Sequence, residues 1–379
     1  MSATSLVSLA EASTQSEALA DARRFMEICN GCRYCEGYCA VFPAMELRRD
    51  FADADLNYLA NLCHGCQGCF YACQYAPPHQ FSVNVPKAMA QVRAASYEQY
   101  AWPQPLAKLF QRNGLIVSLV TAGGLALVLL LSVLFRREQL TTAWPVQPGS
   151  FYSVIPYPVM LWTALLTFGF AILALFMGAR NFWRDAGTSG VATRAIGGAL
   201  WDILTLKNLG GGGHGCNDRD ESFSMTRRYL HHFMFYGFML CFASTSVATI
   251  YHHFLGLEAP YPLLSVPVIL GTLGGIGLLI GTGGFLAMRF TDDPVPRARS
   301  LLGMDVALLV LLALAALTGL VLLAVRATDA MGLALAVHLG VILALFLVLP
   351  YSKMVHGVYR GAALLRNAVE RTGKPLGGE

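Results

Sequence analysis

Residues 1–112 mix polar and apolar positions, whereas most of the remaining chain falls into long apolar runs. Six runs, near 114–135, 156–178, 229–252, 262–288, 301–325 and 331–352, are long enough to cross a bilayer, whose ~30 Å apolar core needs roughly 20 residues of helix. The pattern predicts an all-α membrane bundle of about six transmembrane helices behind a soluble N-terminal head. The fourth run carries Gly271, Gly274, Gly275, Gly277, Gly281, Gly283 and Gly284. Glycine weakens a helix in water, but small residues let membrane helices approach closely, so a tight crossing is expected there rather than a glycine-lined site.

Composition agrees with a bilayer, since 55% of the 379 residues are hydrophobic and only 13% charged. Lys and Arg near span ends favour the cytoplasm. With the head inside, the inner segments hold Arg180, Arg184, Arg194, Lys207, Arg227, Arg228, Arg289, Arg297, Arg299, Lys353, Arg360 and Arg366, against Arg136, Arg137 and Arg326 outside. Residues 1–20 lack the basic start, apolar core and small-residue cleavage site of a secretory signal. Head and both termini are therefore expected in the cytoplasm of a multi-pass inner-membrane protein. The net charge of +4 is small, and no basic stripe with interleaved aromatics appears outside the loops flanking the spans, which argues against nucleic acid as a partner.

Eight of the ten cysteines crowd between Cys29 and Cys73, and a reducing compartment makes them metal ligands rather than disulfides. Cys29, Cys32, Cys35 and Cys39 form C-x2-C-x2-C-x3-C, and Cys63, Cys66, Cys69 and Cys73 repeat it unchanged. That is the spacing of bacterial two-cluster ferredoxins, in which the fourth cysteine of each run ligates the other cluster. The expectation is a ferredoxin-like α+β head with two [4Fe-4S] clusters, one on Cys29, Cys32, Cys35 and Cys73, the other on Cys63, Cys66, Cys69 and Cys39. Zinc fits poorly, because its ligands come as two separated C-x2-C pairs. Ala40 and Gln74 stand where a ferredoxin has Pro, with Pro43 and Pro77 four residues past each run, so the turns are expected to differ. Such a head has no substrate pocket of its own and reads as a wire.

Histidine inside an apolar span is costly and marks function. On the predicted topology His231, His232 and His356 lie at inner span ends, His252 and His253 at an outer end, and His338 deeper. His338 and His356 are about five turns apart and His231 and His253 roughly six, so each pair shares a helix face. Imidazoles on facing helices can take both axial positions of a b-type haem. The candidate pairs are His253 or His252 with His338, and His231 or His232 with His356. The bland alternative is a set of interfacial histidines bonded to headgroups or backbone. A separation of ~27 Å along the helix is long for transfer between two haems, so one haem is as compatible as two.

The resulting division is a tail over 1–20, the head over 21–112, a b-type cytochrome-like membrane domain over 113–356 with an inner loop over 179–228, and a C-terminal tail over 357–379. In that loop Leu209, Gly210–Gly213, His214, Gly215 and Cys216 match neither a Walker A nor a dinucleotide fingerprint. A flexible cover docking on the head or a partner is expected in preference to a metal site on His214 and Cys216, with Cys241 a packing residue.

The stretch Cys63 to Pro86, CHGCQGCFYACQYAPPHQFSVNVP, resembles the tricarballylate-utilisation protein B family, also called CitB or TcuB. The cysteine spacing is shared with many ferredoxins; the YAPPH-x-F-x-V-N-x-P continuation is more specific, and the likeness extends over the spans and the NLGGGGHGC loop. The resemblance implies reoxidation of the reduced flavin of a partner FAD-dependent tricarballylate dehydrogenase, with electrons passing through Fe-S clusters and haem to quinone. It carries the eight cysteines over as cluster ligands, and Tyr75, Pro77, Pro78 and His79 as family-typical residues without a role. It carries over no haem ligand. Arg228 and Tyr229 are candidates for quinone contact by position alone. Two other readings share these features: the membrane subunit of another quinone-linked oxidoreductase, similar to heterodisulfide-reductase or nitrate-reductase gamma chains, and a transporter or sensor with structural clusters. Against the last, the spans show no inverted repeat and few midplane charges, with only Asp305 near a span start and His338 within one.

Overall fold

The computed structural model describes residues 3–110, 113–140, 145–186 and 193–372. The start of the expected N-terminal tail at 1–2, part of the inner loop at 187–192 and the end of the C-terminal tail at 373–379 lie outside them. The head is helical: α1 (Ala3–Cys32), α2 (Val41–Met45), α3 (Asp53–Leu62), α4 (Gly68–Tyr71), α5 (Val85–Tyr100) and α6 (Gln104–Phe110) follow one another. Among the described residues no strand forms, and the one isolated bridge joins Cys216 to Ser224. The α+β expectation is thus corrected. Between the cysteine runs the chain reads Asp53–Leu62, with Leu56, Leu59, Ala60 and Leu62 buried at helical spacing and no alternating β-branched run to build a ladder.

Among the described residues six helices are long and apolar enough to cross a membrane: α7 (Asn113–Arg136), α9 (Tyr157–Ala186), α11 (Thr226–Leu255), α12 (Val266–Thr291), α13 (Leu302–Val325) and α14 (Met331–Val348). Short α8 (Ser150–Val154) and α10 (Thr193–Leu204) lie in the connections, and α15 (His356–Thr372) closes the chain. The glycine-rich fourth run is an unbroken helix in close contact with α11. A Cβ on Gly274 would stand 2.8 Å from Cys241 Sγ, and one on Gly281 would stand 2.7 Å from the Met234 amide nitrogen. Packing at backbone distance explains why glycine is retained there despite its low helix propensity.

Head and bundle share one core. Phe182 and Ala186 at the end of α9, and Tyr359, Ala363 and Leu364 of α15, are buried with Met26, Met45, Leu59 and Met89 of the head. At about 1.5–3 kcal/mol per buried large apolar side chain, this joint is substantial. A buried network reinforces it: Arg48 donates to Asp55 at 2.7 Å and to Glu370 at 2.6 Å, Tyr58 donates to Glu370 at 3.0 Å, and the Arg366 guanidinium lies 4.1 Å from the Tyr58 ring centre. Of the expected C-terminal tail over 357–379, the residues up to Thr372 lie in α15, whose Tyr359, Ala363 and Leu364 enter this shared core. The VNVP sequence also has a local reason. Asn84 caps α5 by accepting from the Lys87 amide, Pro86 occupies its first turn, and the Asn84 amide group donates to Val295 O at 3.0 Å.

Candidate functional site

The structure sorts the eight cysteines into two groups of neighbours. Burial, and then the thiols of Cys35, Cys73 and Cys32, push the Cys29 thiol up to about 12; burial, Cys73 and Cys32 do the same to Cys35. Cys39 is held well above the ordinary thiol range by burial and then by Cys66 and Cys63. Burial and then Cys66, Cys39, Cys63 and Cys35 act on Cys69 in the same direction. Cys73 of the second run shares a hollow with Cys29, Cys32 and Cys35 of the first, and Cys39 of the first lies close enough to Cys63 and Cys66 for their thiols to act on it. The groups adjoin at Cys35 and Cys69.

Their surroundings differ. Cys29, Cys32, Cys35 and Cys73, joined by Cys69, line a hollow of ≈390 Å³ with Tyr34 and Gln74 at its edge. Cys63 and Cys66 are only 8% and 7% exposed. The loop after α10 closes over them: the Asn217 amide donates to Cys66 O at 2.9 Å, and a Cβ on Gly211 (φ +41) would lie 3.7 Å from Cys66 Sγ. Within this loop the Cys216 thiol is buried against Leu209 O at 3.3 Å, while the His214 ring lies 5.7 Å from Phe223. The glycine-rich segment is a cover docked on the second cysteine run.

Among the described residues no three His, Cys, Asp or Glu side chains converge tightly enough to hold a single metal ion. Donor chemistry and space suit a larger polynuclear group. Thiols raised by burial and by neighbouring thiols, as Cys29, Cys35, Cys39 and Cys69 are, need positive charge to stay ionised, which a bound metal supplies. A hollow of ≈390 Å³ behind the first group has room for a cluster core.

Behind the second group lies a cavity of ≈210 Å³ lined by His64, His231, His356, Arg93, Lys353 and Arg360 among others. The His231 and His356 rings meet edge to face, with centroids 6.3 Å apart and planes at 76°. His356 Nδ1 meets Lys353 O at 2.6 Å, the contact that orients a metal-binding imidazole and leaves Nε2 free. His231 Nδ1 is buried without a partner. The hollow is small for a tetrapyrrole, and the apolar lining that must yield is Met234, Met304 and Phe285. Burial, and then the Arg360 charge, hold His64 and His356 well below the usual imidazole range, which keeps both neutral.

The other histidines are spoken for locally. His232 Nε2 meets Thr205 O at 3.2 Å and its ring stacks on Tyr236. His252 and His253 meet the hydroxyls of Tyr152 at 3.2 Å and Tyr157 at 2.8 Å. His338 Nδ1 lies 3.0 Å from the Thr318 hydroxyl, which itself donates to Leu314 O. Of the candidate pairs, ring contact joins His231 with His356. Sequence reasoning did not single out His64 or Arg93 as site residues. His64 stands inside the second cysteine run, a legible signal, whereas Arg93 sits in an ordinary helix with no motif around it.

A model of the Citrate utilization protein B family matches residues 108–376, and one of the Citrate utilization protein B Fer4-like domain matches residues 22–99. The chain is 49% identical over 369 residues to the Escherichia coli protein named Citrate utilization protein B, covering 97% of each. No solved structure matches it.

Proposed function

The chain belongs to the citrate utilization protein B family, and on that premise we propose that it is an electron-transfer protein of the cytoplasmic membrane. It takes electrons from the reduced flavin of a partner tricarballylate dehydrogenase and delivers them to membrane quinone. Cys29, Cys32, Cys35 and Cys73 hold one [4Fe-4S] cluster; Cys39, Cys63, Cys66 and Cys69 hold the other. The observation that carries this reading is that Cys73 of the second run lines one hollow with Cys29, Cys32 and Cys35 of the first, while Cys63 and Cys66 are buried beneath the loop after α10. When bound, each cluster supplies one-electron chemistry, so a pair can divide the two electrons of a flavin hydroquinone.

The residues around the thiols do the rest. Gln74 points its amide at Cys32 Sγ, 3.9 Å away at the open side where a flavoprotein would dock. The Gly211 backbone and Asn217 exclude water from Cys66. His231 and His356 would be the residues to hold a b-type haem, which would supply a further one-electron carrier between the buried thiols and the membrane. The Lys and Arg at inner span ends orient head and C-terminus toward the cytoplasm.

Anaerobic purification in detergent, with EPR, iron and sulfide assays and pyridine haemochrome on one sample, tests this. About eight irons and eight sulfides per chain as cubanes are expected, with a b-type band that His356→Ala removes while the iron–sulfur signals persist. Zinc in place of iron would overturn the function; a b-type band unchanged by both His356→Ala and His231→Ala would overturn the haem site alone.

A further inference from the structure

The two groups of thiols meet different electrostatic surroundings. Three guanidinium groups from three helices converge on the second cysteine run. Arg93 of α5 donates to Cys63 O at 2.7 Å and Ala60 O at 3.1 Å, Arg360 of α15 donates to the same Cys63 carbonyl at 3.1 Å, and Arg227 of α11 donates to Gly65 O. Arg227 is paired with Asp218 at 3.2 Å, and the Asp305 carboxylate that lines the same cavity is taken by Arg289 and Lys353, so that among the described residues neither Arg93 nor Arg360 has a carboxylate in ion-pair contact. The first group has one cation at its hollow, Arg33, which is exposed and donates to Asn30 O at 3.1 Å rather than to the backbone of a cysteine.

Adding an electron to a cluster makes it more negative, and a nearby buried cation without a counter-ion favours that reduced state. Water screens the half-exposed first group, whereas Cys63 and Cys66 are nearly sealed, so a charge of equal size acts more strongly on the second. We propose that Arg93, Arg227 and Arg360 form a cationic collar that makes the site on Cys39, Cys63, Cys66 and Cys69 the higher-potential one, directing electrons inward from the exposed site on Cys29, Cys32, Cys35 and Cys73. The inference rests on the two-cluster reading above. A single electron moves from the first site, which is oxidised, to the second, which is reduced; no bond forms or breaks and no proton is transferred.

The test is an EPR-monitored redox titration of the full-length protein, with iron and sulfide assayed on every sample. At an effective dielectric of ~20 and a separation of ~7 Å, one charge changes a reduction equilibrium by about tenfold or more. Arg360→Gln is therefore expected to lower the more positive of two cubane midpoints by about 59 mV, the one-electron equivalent of tenfold. The more negative midpoint stays in place, and Arg360→Lys, which keeps the charge, stays near the unsubstituted value. If Arg360→Gln does not assemble, Arg93→Gln removes a charge from the same carbonyl and carries the same expectation. The collar is overturned if the more positive midpoint does not move, if the more negative one moves in its place, or if the Lys and Gln variants shift alike. Unsubstituted protein without two cubane signals overturns the two-cluster reading itself, and the collar with it.

Discussion

The head and the membrane bundle are built from one chain by different physics. In the head, apolar burial is interleaved with buried polar groups that find partners: Asn61 donates to Asn57 O and Ser96, and Arg48 and Arg366 share Asp55 and Glu370 beneath the Tyr58 ring. In the bundle, the hydroxyls of Ser118, Thr121, Ser132, Thr167, Thr272, Thr282 and Thr318 each donate to the carbonyl four residues back in their own helix. Contact between α11 and α12 is made through glycine backbone. Water rewards removal of apolar surface, so the head uses large side chains and tolerates paired ions. Lipid offers no such reward, so the bundle relies on close approach and keeps polar groups satisfied within each helix.

That contrast can be broken most severely by withdrawing iron. The head holds eight unpaired cysteines in two runs, and structural metal binding contributes on the order of 10 kcal/mol to the folding of small domains. Hydrogen exchange on iron-depleted protein should show residues 29–73 exchanging freely while α12 and α13 stay protected; an equally protected apo head would contradict this view. Smaller is the effect of Glu370→Ala, which strips the shared carboxylate from Arg48, Arg366 and Tyr58. Breaking one partner of a buried ion pair costs about 3–5 kcal/mol. A lowered melting temperature of the head in detergent is expected, and a shift worth under about 1 kcal/mol would show that the network matters little. Smallest, and confined to the bundle, is Gly281→Leu, whose Cβ meets the Met234 backbone. Overpacking of this kind costs about 1–3 kcal/mol. Thermal stability should fall with iron and sulfide content unchanged, and loss of clusters would show that the two regions are more tightly coupled than their cores imply.

Much of this protein was legible in local sequence. A span is recognised by length and apolarity, properties of a contiguous stretch, and the six expected runs overlap the six long apolar helices. The cysteine spacing is local as well, and so is the cover loop, whose glycines permit the positive φ of Gly211, Gly213 and Gly215. Other features exist only through contacts between distant residues. Whether His231 or its neighbour His232 faces His356 depends on the rotation of α11, which no spacing argument resolves to one residue. The ferredoxin spacing suggested strands, but the segments between the runs bury their apolar residues as helices against α15, a partner about 300 positions away. Arg93, Arg227 and Arg360 read as ordinary cations in the sequence, and only the folding of three helices onto the Cys63 backbone brings them together. Sequence by itself therefore determined the six helices long and apolar enough to cross a membrane, the thiol inventory and the family, because hydropathy and ligand spacing are written in neighbouring residues. Tertiary structure alone decided which histidines meet, where the C-terminal helix packs and which thiols lie beneath a positive field, because each depends on packing between elements remote in the chain.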